Sequence, residues 1–156
     1  KRSIMKNILI LFSFIFLFSC SEKKIFEKHI KLDNYEWSSD NKLTFEVSIE
    51  DTVSFYNIYI PVRHTDNYPY DGLLVYVTTS TPSGETISKD YKLILRDEKG
   101  KFKGDAGGDI WDIDVPIMEN IKFNSIGIYK FKVENNMPKP PTISLMEMGF
   151  KVKKVK

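Results

Sequence analysis

From residue 25 onward, apolar and polar residues alternate with a period of two, and no segment shows convincing helical periodicity. In Leu43-Thr44-Phe45-Glu46-Val47-Ser48-Ile49 every second residue is apolar. Ile58, Ile60 and Val62 alternate with Tyr59, Pro61 and Arg63 in the same way. The pattern predicts further strands around Tyr91, Leu93 and Leu95, around Tyr129, Phe131 and Val133, and around Met146, Met148, Phe150 and Val152. Leu73 to Thr79 is apolar or β-branched on both faces, as expected of a strand with neighbours on either side. Ile25 to Leu32 and Ile110 to Val115 carry weaker versions of the signal.

Turn chemistry punctuates these segments. Asp71-Gly72, Pro82-Ser83-Gly84, Asp97 to Gly100 and Asn135 through Pro141 supply residues that tolerate positive φ or fix it. Seven to nine short strands with such punctuation predict an all-β fold, a single antiparallel β-sandwich of immunoglobulin-like or jelly-roll-like type. Pro61 cannot donate a ladder hydrogen bond, so its strand is expected at an edge or with a bulge at that point.

The first twenty residues follow a different rule. Lys1, Arg2 and Lys6 lead into the apolar run Ile8–Phe18, broken only by Ser13, and Met5 is a possible true start. The eleven residues of that run fall well short of the roughly 20 needed to span a bilayer. A basic lead, a short apolar run and a small residue before the cut make a secretory signal. The only cysteine follows immediately, in Leu17-Phe18-Ser19-Cys20, a pattern that resembles a lipobox with Phe18 bulkier than usual. The division expected is a lipoprotein signal peptide over 1–19, a lipidated Cys20 with a short tether over 20–24, and the sandwich over 25–156. One cysteine also leaves no internal disulfide, so the domain must stand on its core.

Charge changes meaning once the signal is set aside. Residues 1–19 hold three basic and no acidic residues, leaving twenty Lys and Arg against twenty-one Asp and Glu. A near-neutral domain lacks the basic footprint of a nucleic-acid binder, and no nucleic-acid partner is expected.

Candidate chemistry is sparse. The two histidines, His29 and His64, lie in no nucleophile motif, and Ser38, Ser80 and Ser83 lack an elbow around them. Two histidines without a free cysteine make a poor zinc set. Asp105, Asp109 and Asp112, in the acidic, Gly-containing stretch 105–114, are a weak calcium candidate. The alternative is a Gly-rich turn feeding a strand whose outward positions are Asp112 and Asp114. No cofactor is expected, and the chain reads as a non-enzyme. Tyr56, Tyr59, Tyr68, Tyr70, Tyr76 and Trp111 could form flat stacking faces for a glycan, although aromatics also suit strand packing.

The densest local pattern is Tyr56-Asn57-Ile58-Tyr59-Ile60-Pro61-Val62-Arg63-His64-Thr65-Asp66-Asn67-Tyr68-Pro69-Tyr70-Asp71-Gly72-Leu73. With the Pro82-Ser83-Gly84 hairpin, Asp97 to Gly100 followed by Phe102 and Gly104, and Gly127-Tyr129-Phe131 ending in Asn135-Asn136-Met137, it resembles the GldH gliding-motility lipoproteins of Bacteroidetes. Pro61 and Gly72 depart from that pattern, where Asn is usual. The resemblance implies a lipid-anchored accessory of gliding motility, linked to type IX secretion and to other proteins of that machinery, with no catalytic residues to carry over. The expected place is the cell envelope, anchored in the outer membrane and facing the periplasm, because Ser21-Glu22-Lys23-Lys24 lacks the acidic run of surface-exported relatives. A surface glycan-binding lipoprotein is the alternative. Tyr59, Arg63, Tyr68 and Tyr70 are the candidate partner-binding residues, Arg and Tyr being common at interface hot spots, with a structural corner as the competing role.

Overall fold

Alternating segments become strands where one of their faces meets a core, and the computed structural model describes them over residues 22–155. The expected signal peptide and Cys20 lie outside the described residues. The strands are β1 (Lys23–Lys31), β2 (Glu36–Trp37), β3 (Leu43–Ile49), β4 (Phe55–Thr65), β5 (Gly72–Ser80), β6 (Thr86–Ile94), β7 (Asp105–Gly107), β8 (Ile110–Ile121), β9 (Gly127–Asn135), β10 (Thr142–Ile143) and β11 (Leu145–Val155). Eight of these have seven residues or more, matching the expected all-β sandwich, and β2, β7 and β10 are short additions.

Two antiparallel sheets face each other. One has the order β1-β11-β4-β8-β7, the other β3-β9-β5-β6, and β2 and β10 form a two-stranded ribbon. The inward residues are the apolar half of each alternation: Phe45 and Val47 from β3, Phe131 and Val133 from β9, Ile58, Ile60 and Val62 from β4, and Phe150 and Val152 from β11 are all buried. Phe150 stacks on Phe131 at 4.5 Å and on Phe45 at 5.3 Å between ring centroids, joining the two sheets at their centre. Burial of these rings is the main stabilising contribution. The long edge strands β1 and β6 carry Lys23, Lys24, Lys28 and Lys31, and Lys89 and Lys92, charges that discourage edge-to-edge pairing. As expected, β5 is flanked on both sides.

The strand directions define two ends. At one, β1 enters at Lys23, β11 leaves at Val155, and the connections 50–54, 81–85 and 122–126 turn back. At the other lie the connection 66–71, the β7–β8 turn and the β2–β10 ribbon.

Two expectations are corrected. Pro61 is in the middle strand of five, not at an edge, and the register shifts of β4 fall at Tyr56–Tyr59 rather than at the proline. The missing donor is accommodated on the β11 side, where pairing passes from Val62↔Met148 to Tyr59↔Lys151 and skips Ile60 and Pro61. Gly149 stands there, and a Cβ on it would come within 3.1 Å of the Pro61 Cβ and 3.0 Å of the Lys28 carbonyl oxygen. The tether expected over 20–24 is also shorter, because the sheet already includes Lys23 and Lys24, and Glu22 is bonded to it.

The aromatic stack sets the first prediction. Phe150→Ala should lower the unfolding free energy by about 3–5 kcal/mol, the cost of a large-to-small change at a core site that cannot collapse. Urea titration would measure it, and a loss below about 1 kcal/mol would show that the stack does not hold the sheets together.

Candidate functional site

The strand β4 places its apolar residues inward, so Asn57, Tyr59, Pro61 and Arg63 build the outer face of the five-stranded sheet, with charges from β1, β8 and β11 around them. Near the entry end, the Glu22 carboxylate accepts hydrogen bonds from Asn57 Nδ2 at 2.5 Å, Tyr59 Oη at 3.1 Å and Lys153 Nζ at 3.0 Å. Asn57 is itself fixed, because its Oδ1 accepts from the Asn120 backbone N–H at 2.7 Å. Further along, Lys151 Nζ lies 2.9 Å from Glu27 and 2.5 Å from Asp114, and Glu27 also pairs with Lys24 and His29. Then comes Arg63, whose Nε and Nη2 donate to the two oxygens of Asp112 at 2.8 and 3.0 Å, with Glu147 at 3.5 Å.

These groups line a shallow groove of about 500 Å³, walled by Glu27, His29, Arg63, Asp112, Asp114 and Lys151. None of its lining residues carries a hydroxyl or thiol side chain. The electrostatics are those of mutual pairing. The Lys24 ammonium, with help from His29 and Lys151, pulls the Glu27 carboxyl down to about 2 despite its partial burial. Lys153 and Asn57 hold Glu22 below the usual carboxylate range. Burial opposes charge on Lys151, but Asp114 and Glu27 outweigh it and raise its pKa. Asp112 raises that of Arg63. Such a face offers matched hydrogen-bond donors and acceptors to a polar partner.

The residues singled out in the sequence divide between this face and the core. Tyr59 and Arg63 belong to the groove's stripe, and Asp112 and Asp114 point outward with them. Tyr68 is 1% exposed and its hydroxyl donates to the Gly72 carbonyl at 3.0 Å, so its ring serves the core rather than a partner. Tyr70 packs edge-on against Tyr68 and keeps an exposed side. Between them and β8 lies a buried corner: His64 touches Tyr68 and Phe102, the Arg96 guanidinium sits 3.6 Å above the Phe102 ring, and Trp111 donates to Asp66 at 2.7 Å. His64 Nδ1 donates to the Thr65 carbonyl, while its Nε2 is buried without a partner, and burial lowers its pKa, which keeps the ring neutral.

The weak calcium candidate gains no support from the geometry. Asp112 is taken by Arg63, the Asp109 carbonyl accepts from the Asp66 N–H, and no group of three metal-binding side chains converges among the described residues. Of the aromatics that could stack on a glycan, Tyr56 and Tyr68 are buried, Tyr59 and Trp111 are hydrogen-bonded to Glu22 and Asp66, and Tyr70 and Tyr76 are exposed. Sequence reasoning missed Glu22, Glu27, His29, Glu147 and Lys151 as members of the site. The alternation of Glu147, Lys151 and Lys153 with Met148, Phe150 and Val152 was the signal that could have found part of the stripe.

The pairing has a pH signature. A carboxylate whose folded pKa is depressed contributes stability above its unfolded pKa and loses it as pH falls through the folded one. The melting temperature should therefore drop as pH falls from 4.5 to about 2, the interval spanned by Glu27, and Glu27→Gln should flatten the drop. Unchanged slopes in thermal melts of the two proteins across that interval would show that Glu27 is unpaired in solution.

The GldH lipoprotein family matches residues 24–152, the span from the second residue of β1 to the middle of β11. "Gliding motility lipoprotein GldH homolog" of Christiangramia forsetii is 24% identical over 160 residues, covering 98% of both chains. "Gliding motility lipoprotein GldH" of Flavobacterium johnsoniae is 27% identical over 151 residues, covering 92% of this chain and 93% of its own. Among solved structures, that titled "Crystal structure of infectious bursal disease virus VP2 subviral particle" reaches a TM-score of 0.38 over 83% of this chain and 32% of that one, at 16% identity. The match thus takes in both sheets, the outer face and the buried corner together, and the chain belongs to the GldH lipoprotein family.

Proposed function

We propose that the protein is a non-catalytic component of the gliding machinery and its associated type IX secretion apparatus, anchored through Cys20 in the outer membrane on its periplasmic side. The observation that carries this reading is the family match over residues 24–152, which takes in both sheets, with relatives named for gliding motility that align over nearly their whole length. The sequence before the fold supports the anchor: the apolar run ends directly at the only cysteine. Two or three acyl chains there hold a protein stably at a bilayer, where one holds it marginally. Ser21-Glu22-Lys23-Lys24 supports the periplasmic side.

The non-catalytic part of the reading is supported by the groove. Arg63 and Lys151 there are paired with Asp112 and Asp114, an arrangement suited to holding a polar surface. A face of this kind suits assembly. Tyr59, Arg63 and the exposed side of Tyr70 are its candidate partner-binding residues. Arg63 keeps 39% of its side chain exposed and Asp112 keeps 50%, so an incoming carboxylate or carbonyl can share the guanidinium without dismantling the core.

Two outcomes are expected. Deleting the gene should abolish spreading on agar. The wild-type gene should restore it, and Cys20→Ala should fail to do so while losing palmitate labelling; normal spreading in the deletion strain would remove the gliding assignment. Arg63→Ala should cost at most about 1 kcal/mol of stability, as an exposed ion pair does, yet reduce both spreading and the recovery of crosslinked partners. Full spreading with this variant would reduce Arg63 to a structural role.

A further inference from the structure

Cys20 and Glu22 are separated by a single residue. Two residues of fully extended chain reach about 7 Å, and Glu22 is fastened to the sheet by Asn57, Tyr59 and Lys153. The polar zone on each side of a bilayer is itself roughly 5–8 Å deep. An acyl anchor on Cys20 therefore leaves no slack for the domain to stand away from the membrane. The end of the sandwich around Lys23 must meet the lipid.

That end has an unusual surface. Among the described residues, the four most exposed large apolar side chains are Val53 at 77%, Ile87 at 68%, Ile126 at 65% and Ile128 at 59%. All four lie at the entry end: Val53 in the connection after β3, Ile126 in the connection before β9, Ile128 at the start of β9, and Ile87 at the start of β6. Phe55, the first residue of β4, is 45% exposed beside them, with the Lys122 ammonium 4.6 Å from its ring centroid. An aromatic ring with a lysine over it is a combination suited to a water–lipid boundary, where the stem is buried and the charge stays wet. The exposed large apolar residues of the opposite end among the described residues are Tyr35, Tyr70, Ile94 and Ile143, whose two aliphatic side chains are each less exposed than any of those four.

We propose that the entry end of the sandwich lies on the lipid interface beside the Cys20 anchor, with Val53, Phe55, Ile126 and Ile128 set among the headgroups. This rests on the lipid anchor at Cys20. The contact is apolar rather than electrostatic. Of the lysines at this end, Lys153 and Lys154 are spent on Glu22 and Asp51, Lys24 on Glu27, and Lys122 stands over the Phe55 ring. Uncharged phospholipid should therefore be sufficient for docking. The orientation follows: strand β4 runs from Phe55 at the lipid to Arg63, about 27 Å away at about 3.4 Å per residue, which holds the Arg63–Asp112 pair clear of the headgroups.

The test uses the full-length lipidated protein in phosphatidylcholine vesicles. Cys20 is the only cysteine and is blocked by lipid, so Val53→Cys, Ile126→Cys and Tyr70→Cys each give one labelling site for a polarity-sensitive fluorophore. Labels at positions 53 and 126 should emit at shorter wavelength and be quenched several-fold by brominated lipid, while the label at position 70 should report water. Vesicle-bound protein with all three labels in water would overturn the docking and leave the anchor standing. Labels at 53 and 126 that are shielded but not quenched by brominated lipid would also overturn it, because a second copy or another protein would then cover that end. Protein that fails to float with the vesicles would overturn the anchor and the docking together.

Discussion

The structure depends on β4 being a central strand with two different faces. Its inward residues Ile58, Ile60 and Val62 fill the core, and its outward residues receive charge from both neighbours. Arg63 stands between Glu147 of β11 and Asp112 of β8, both of which are its register partners. Tyr59 and Asn57 reach Glu22 beside Lys153, the register partner of Asn57. Moving either neighbour by one residue would turn that strand's charges inward and its core residues outward. The burial of the aliphatic half of β4 therefore fixes the ion pairs of the other half, and not the reverse. Exposed ion pairs of this kind contribute about 0–1 kcal/mol each, far less than the buried side chains opposite them.

Much of the fold was legible because the inner faces are apolar and the outer faces are not. The strands β3, β4, β9 and β11 were visible from alternation, and β5 from its two-sided apolar character. Legibility failed where a strand has little to bury. The first half of β6, Thr86-Ile87-Ser88-Lys89-Asp90, is exposed throughout, so only its end from Tyr91 showed. Strand β1 is a lysine-rich edge, and its start at Lys23 read as tether because nothing in Lys23-Lys24 demands a core. Strand β8 continues to Ile121 through Pro116, a residue that weakens any reading of a strand from sequence.

The candidate site was legible in part, and for a definite reason. Arg63 and Tyr59 stood out locally, and the outward direction of Asp112 and Asp114 followed from alternation. Their partners did not, because Glu22–Asn57 and Arg63–Asp112 are 35 and 49 residues apart, and strand order alone brings them together. The same limit explains Tyr68. As part of a Tyr-Pro-Tyr loop it looked like a presented aromatic, but the loop folds back and hands the ring to His64 and the Gly72 carbonyl. Pro61 shows the converse. Sequence rules sent it to an edge, and the chain instead keeps it central by setting Gly149 opposite, a pairing that no reading of β4 by itself could reveal.

The Glu22 contacts give the charged face a direction. With the lipid proposed at Cys20, a sheet fastened two residues later would take its orientation from the bilayer, where a long tether would let the domain tumble. The stripe on the outer face runs along the strands from the entry end: Glu22 and Lys153 first, Glu27, Lys151 and Asp114 next, and Arg63, Asp112 and Glu147 last. In that orientation, the partner proposed for this stripe would come from the side, along the strands, and not from above. Such an approach fits a protein that is itself embedded in or held at the same membrane, whose own surface stands parallel to β4. On the proposed anchor, the short connection between lipid and sheet would be as much a part of the binding geometry as the arginine at the stripe's far end.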